Sequence, residues 1–205
     1  MKTTRKLMRP AQAVVAGSAV VALGAGISPA GAASPGAPAV EREPVAEAAA
    51  KGKPKFQMPF RCKSKMRLDT WGHSPALDMV KKGNPGSAGK AVVSSYKGKV
   101  VGTYYTKGSG HTIQIKHKNG WFTAYYHLKD DANTYVKEGQ KVKRGKKIGR
   151  IGASGATTHA HLHYEQRYKK SGNWTGEKHR KAVHFNGKKY TGANNTWKSV
   201  TSKNC

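Results

Sequence analysis

The chain has 205 residues, enough for one domain with extensions at its ends. Its 38 lysines and arginines against 10 acids give a net charge of +28. Such a balance excludes a cationic target and implies an anionic one, whether nucleic acid, lipid headgroups or an acidic wall polymer; it leaves the fold open.

Residues 1–32 carry the pattern of a secretory signal. Lys2, Arg5, Lys6 and Arg9 form a positive start, Ala11 to Ile27 is small and apolar, and Ala30-Gly31-Ala32 matches an A-x-A cleavage site. The apolar run is rich in Ala and Gly and short for a membrane span, so export without a lasting anchor is expected. Export places Cys62 and Cys205 in an oxidising compartment, where a bridge is expected, two free thiols being the alternative. A bridge over so long a loop contributes ~4–5 kcal/mol in the chain-entropy account. Residues 33–55, with Pro35, Pro38, Pro44 and Pro54, read as a linker or short pro-segment.

The folded part is expected from Phe56. His73 and Asp78 bracket a turn containing Pro75, ahead of the apolar pair Met79-Val80. From Ala91 the pattern is β: Val92-Val93, Val100-Val101, then Tyr104-Tyr105, with Ile113 and Ile115 sharing a face further on. Asn119-Gly120 is a hairpin signal. On its return strand, alternation puts Trp121, Thr123, Tyr125 and His127 on one face and Phe122, Ala124, Tyr126 and Leu128 on the other. Gly139 and Gly145 mark turns before Ile148 and Ile151. The stretch Thr158 to Glu165 then places His159, His161 and His163 at every second position. On a strand, His161 and His163 project side by side, Cα atoms ~7 Å apart. On a helix they diverge.

No segment between 56 and 168 sustains a 3.6-residue period. An all-β domain is predicted over 56–168, an antiparallel sheet or sandwich with an open groove. Residues 169–205 contain Trp174, Phe185, Tyr190 and Trp197 and are expected to pack on it as an extension. His111 and His117 read as structural, and His179 and His184 as surface residues.

His73, Asp78, His127, His161 and His163 form the chemically interesting set. Two imidazoles and a carboxylate, with a fourth position for water, are the ligands of a catalytic zinc. No H-E-x-x-H helix is present, which excludes the helical zincin layout. Four features in this order resemble the M23 family, the lysostaphin-type or LytM-type zinc endopeptidases of bacterial cell walls. They are Gly72-His73 with Leu77-Asp78, Tyr125-Tyr126-His127-Leu128, the Gly139 and Gly145 turns, and His161-Leu162-His163-Tyr164-Glu165. The Pro59–Cys62 entry and the Lys203-Asn204-Cys205 end resemble secreted actinobacterial members.

The resemblance implies that His73, Asp78 and His163 hold one zinc ion per chain, and that His127 and His161 are catalytic, as general base or oxyanion donor. How those two jobs divide stays open. His73 and Asp78 stand one residue further apart than in many members; His159 is an extra histidine that shares the site face only if the strand begins there. The implied protein is a secreted, wall-associated monomer that cleaves peptidoglycan peptides, its charge suited to anionic wall polymers and with no specific nucleic acid as partner. The alternative is a β-domain that binds wall or polyanion without chemistry; members of that kind usually lack some ligands.

Overall fold

The computed structural model describes residues 52–70, 72–81, 83, 86–191 and 198–205. The expected leader, most of the 33–55 stretch, Trp71 and Trp197 lie outside them. Among these residues thirteen strands follow in chain order: β1 (Lys65–Asp69), β2 (Leu77–Val80), β3 (Ala91–Val93), β4 (Gly98–Thr106), β5 (Gly110–Lys116), β6 (Trp121–Leu128) and β7 (Lys141–Val142). Then come β8 (Lys147–Arg150), β9 (Leu162–Tyr168), β10 (Arg180–Lys181), β11 (His184–Phe185), β12 (Lys188–Lys189) and β13 (Lys198–Thr201). Two short 3-10 turns are the only helical pieces among the described residues.

The main sheet runs β13-β1-β2-β9-β6-β5-β4-β7, with β10 also beside β9. β3 pairs with β8 and β11 with β12, and every pairing is antiparallel. The all-β expectation holds. The two faces of the sheet differ sharply. Val100, Ile113, Ile115, Tyr125, Leu162 and Tyr164 point into the core, where Phe60, Val92, Ile148 and Ile151 close over them. The opposite face carries polar rows set by register: Asp78, His163 and Tyr126 stand across β2, β9 and β6. Beside them Glu165, Ala124, Gln114 and Gly102 stand across β9, β6, β5 and β4.

Alternation fails at one place on β6. Leu128 lies opposite His111 and Tyr125 opposite Ile113, so Tyr126 and His127 together face Thr112 alone. This is a β-bulge, with His127 at φ 56° and its N–H bonded to the Ser109 carbonyl. A bulge inserts one residue and re-aims those after it. Here it turns His127 to the polar face beside Tyr126 and returns Leu128 to the core, where it is 1% exposed. Simple alternation had assigned both residues to the opposite faces.

The extension is built into the domain. β13 pairs with β1, and Cys62 is bonded to Cys205. The Asn204 amide donates to the carbonyls of Met58 (2.9 Å) and Ser94 (3.2 Å), and the Ser202 hydroxyl to that of Phe60 (2.7 Å). Both histidines of the extension differ from the surface expectation. His179 and His184 are half-buried, with the Lys53 ammonium 2.8 Å from His184 Nδ1 and the Gly176 N–H 3.0 Å from His179 Nδ1. Each imidazole is held by local polar partners.

Candidate metal centre and groove

A groove of about 650 Å³ opens over the polar face of β9 and β6. β2 brings Asp78 directly opposite His163 of β9. His73 reaches them from the preceding turn, which closes through the Ala76 N–H to the His73 carbonyl. One ligand atom each from His73, Asp78 and His163 lies within 4.8 Å of the others. His73 Nε2 is 3.2 Å from Asp78 Oδ2, and His163 Nδ1 is 3.1 Å from Asp78 Oδ1. A tetrahedral ion with bonds of ~2.1 Å spaces its ligand atoms ~3.4 Å apart, so the separations at Asp78 suit zinc.

The hydrogen bonds argue the same way. His163 Nε2 lies 2.9 Å from the Glu165 carboxylate and donates its proton there. A neutral His163 therefore turns the Nδ1 lone pair toward Asp78. Two electron-rich atoms 3.1 Å apart require positive charge between them, a proton or a cation. The residues present fit a divalent ion. Burial works against ionising Asp78, but donation from His163 in its protonated form and from His73 outweighs it and holds its carboxyl well below the usual range. Asp78 stays an anion at any physiological pH.

Glu165 went unremarked in the sequence beyond its place in the motif. It is buried, and burial alone opposes its charge; the bond from His163 and the positive charges of Arg167 and Arg180 pull its pKa down to about 2. Arg167 Nε sits 2.5 Å from Oε2, and Arg180 Nε 2.6 Å from Oε1. Arg167 also donates to the Tyr126 hydroxyl and, at 2.7 Å, to the Thr175 carbonyl. A carboxylate held this firmly fixes the tautomer and ring orientation of the imidazole it touches. The signal in the sequence was the Glu-x-Arg pair two residues beyond His163; Arg180, from β10, had none.

His127 and His161 flank the cluster, their ring centres 4.8 Å apart, and His161 Nε2 is 3.5 Å from Asp78 Oδ1. His161 precedes β9 and is held by a single bridge to Gly152, so the strand begins three residues later than His159. His127 Nδ1 donates to the Ser154 carbonyl (2.8 Å) and His161 Nδ1 to that of His159 (3.0 Å). In the neutral form each thus offers Nε2 as an acceptor. Burial lowers both pKa values, that of His127 to about 4. His159 lines the groove, its ring 5.0 Å from that of His161. The structure brings all five singled-out residues to one groove. His117 stays away, fully enclosed at the far end of β6.

Residues 82–190 match the family model described as Peptidase family M23, more than half of the chain. The chain belongs to peptidase family M23. The matched span begins beyond His73 and Asp78, so these two join the site by geometry. Among relatives, the M23 chain is 36% identical over 129 residues to the cell division protein DipM of Caulobacter vibrioides, covering 60% of this chain and 20% of that one. It is 43% identical over 77 residues to the peptidoglycan DD-endopeptidase ShyA of Vibrio cholerae, covering 38% and 17%. It is 39% identical over 85 residues to the murein hydrolase activator NlpD of Escherichia coli, covering 41% and 21%. The chain thus spans about a fifth of the length of these relatives. Among solved structures, a zinc containing peptidase from Vibrio cholerae aligns at 27% identity and TM-score 0.42, over 56% of this chain and 36% of that one. The catalytic domain of lysostaphin from Staphylococcus simulans aligns at 24% and 0.45, over 66% and 92%.

Proposed function

We propose that this M23 chain is an exported zinc endopeptidase that hydrolyses peptide bonds in the cross-links or stems of peptidoglycan. The observation that carries the reading is the convergence of His73, Asp78 and His163, with two further imidazoles at their side, on the floor of an open groove. Kinship with the DD-endopeptidase ShyA supports the substrate class. His73, Asp78 and His163 would hold one ion. When bound, zinc supplies Lewis acidity for the scissile carbonyl and acidifies water. The remaining work falls to the chain. His127 and His161, anchored through Nδ1, present neutral Nε2 atoms that accept a proton and return it to the leaving nitrogen. Either becomes an oxyanion donor only after taking up that proton, so the two roles pass between states of the imidazoles.

Similarity to the murein hydrolase activator NlpD supports a second reading, a protein that docks in the wall and stimulates another hydrolase. Metal analysis and mass spectrometry of muropeptides released from purified walls separate the two. His163→Ala is expected to lose zinc and hydrolysis together. His161→Ala should keep zinc and lose hydrolysis. Full activity in His163→Ala would sink the ligand assignment; zinc-loaded protein that releases nothing, yet accelerates a second hydrolase, would establish the activator.

A further inference from the structure

The register of the main sheet aligns three lysines. Lys99 of β4 stands directly opposite Lys116 of β5 on one side and Lys141 of β7 on the other. Residues so paired share a face, with side chains about 5 Å apart, and like charges in that arrangement weaken the pairing. Among the described residues no carboxylate forms an ion pair with any of the three. Lys116 is steadied by bonds of 2.8 Å to the Gly172 carbonyl and to the Asn173 side chain; Lys99 and Lys141 are exposed. Lys141 has an ordinary explanation, since a charged edge strand resists pairing with other chains. Lys99 and Lys116 sit on interior strands, where that explanation does not apply.

We propose that Lys116, Lys99 and Lys141 form a docking ladder for a linear phosphodiester polyanion of the cell wall, a polyol phosphate chain. The ladder lies on the same face as the groove, so a bound polymer would hold the groove toward the wall. Cβ atoms about 5 Å apart on flexible lysine stems put three ammonium groups within reach of neighbouring charges along an extended polyanion. A single-stranded nucleic acid additionally requires exposed aromatic surfaces for stacking. Within the row Phe122 is fully buried, but Trp174, next to the Asn173 that Lys116 binds, is 46% exposed, so single-stranded DNA is the comparison the titration has to include. The choice of a wall polymer over a nucleic acid rests on the proposed peptidoglycan activity; the ladder does not.

The test is a binding titration with purified poly(glycerol phosphate) at several salt concentrations, beside single-stranded DNA of equal charge. Lys99→Gln/Lys141→Gln should weaken polymer binding about tenfold and reduce the salt slope by about two. Lys188→Gln/Lys189→Gln, exposed on β12, should stay within about twofold of the parent. Equal losses in both double variants would overturn the ladder in favour of diffuse attraction. DNA bound more tightly than the polymer, and lost with the ladder, would overturn the wall polymer. Hydrolysis of a soluble muropeptide, measured alongside, should be unchanged in the ladder variant; a parent protein inactive in that assay defeats the peptidase reading and leaves the binding result standing.

Discussion

A histidine stands near each end of β6, His117 before the strand and His127 next to its last residue, and in both burial lowers the pKa to about 4. At the start of the strand His117 lies among Phe56, Tyr96 and Trp121, its Nδ1 2.9 Å from the Lys97 carbonyl and its Nε2 2.8 Å from the Thr123 hydroxyl. At the end His127 commits Nδ1 to Ser154, while Nε2 has no hydrogen-bond partner among the described residues and the ring borders the groove. Similar titration accompanies opposite circumstances. What separates a structural imidazole from a chemical one here is an uncommitted nitrogen facing solvent beside a ligand cluster. A shifted pKa alone marks both.

Substitution offers the most severe way to break that contrast. His127→Ala should cut hydrolysis by about 10²–10⁴-fold, the usual range for loss of a general acid–base group, with the melting temperature little changed. His117→Ala should leave turnover per folded molecule intact and instead cost about 2 kcal/mol of stability, since it opens a cavity and strands the Thr123 and Lys97 partners. Equal losses of turnover in both variants would erase the distinction.

Glu165→Gln sharpens the contrast from the ligand side, because His163 resembles His117 in having both nitrogens engaged. Zinc affinity, read by competition with a chromogenic chelator, should fall about 10–100-fold as the imidazole loses its charged partner. The less buried edge of the same network gives a variant less prone to misfolding: Arg180→Ala should lower affinity less, with Arg180→Lys between it and the parent. Unchanged affinity in all three would reduce the Glu165 network to packing.

The last test of the contrast is one of pH, and near neutrality the pH dependence vanishes. His117 has a folded pKa of about 4 against an ordinary value of 6.5, so between those limits the unfolded chain binds more protons than the folded one. Its contribution is fully present above pH 6.5 and is lost as pH falls toward 4, no more than about 3 kcal/mol in total. Denaturant titrations across this window should show a steeper acid loss for the parent than for His117→Gln. Parallel curves would mean that His117 titrates normally.

Much of this was legible beforehand. The short alternating runs announced an antiparallel β-domain, Asn119-Gly120 announced the turn between β5 and β6, and H-x-H announced a candidate site. The extension was legible as aromatic residues needing cover and a cysteine expected to bridge back to Cys62. That its Arg180 reaches Glu165, and that its Asn204 caps the carbonyls of Met58 and Ser94, follows from contacts between segments far apart in the chain.

By itself, then, the sequence determined which side chains were available and the period in which they alternate, because both depend on neighbours along the chain. Only the tertiary structure decided where His127 points. Alternation is a local rule, whereas a bulge depends on how β6 is registered against β5, and one extra residue there exchanges core for groove. The same holds for the pairing of Asp78 with His163: 85 residues apart, they meet because antiparallel hydrogen bonding places β2 beside β9.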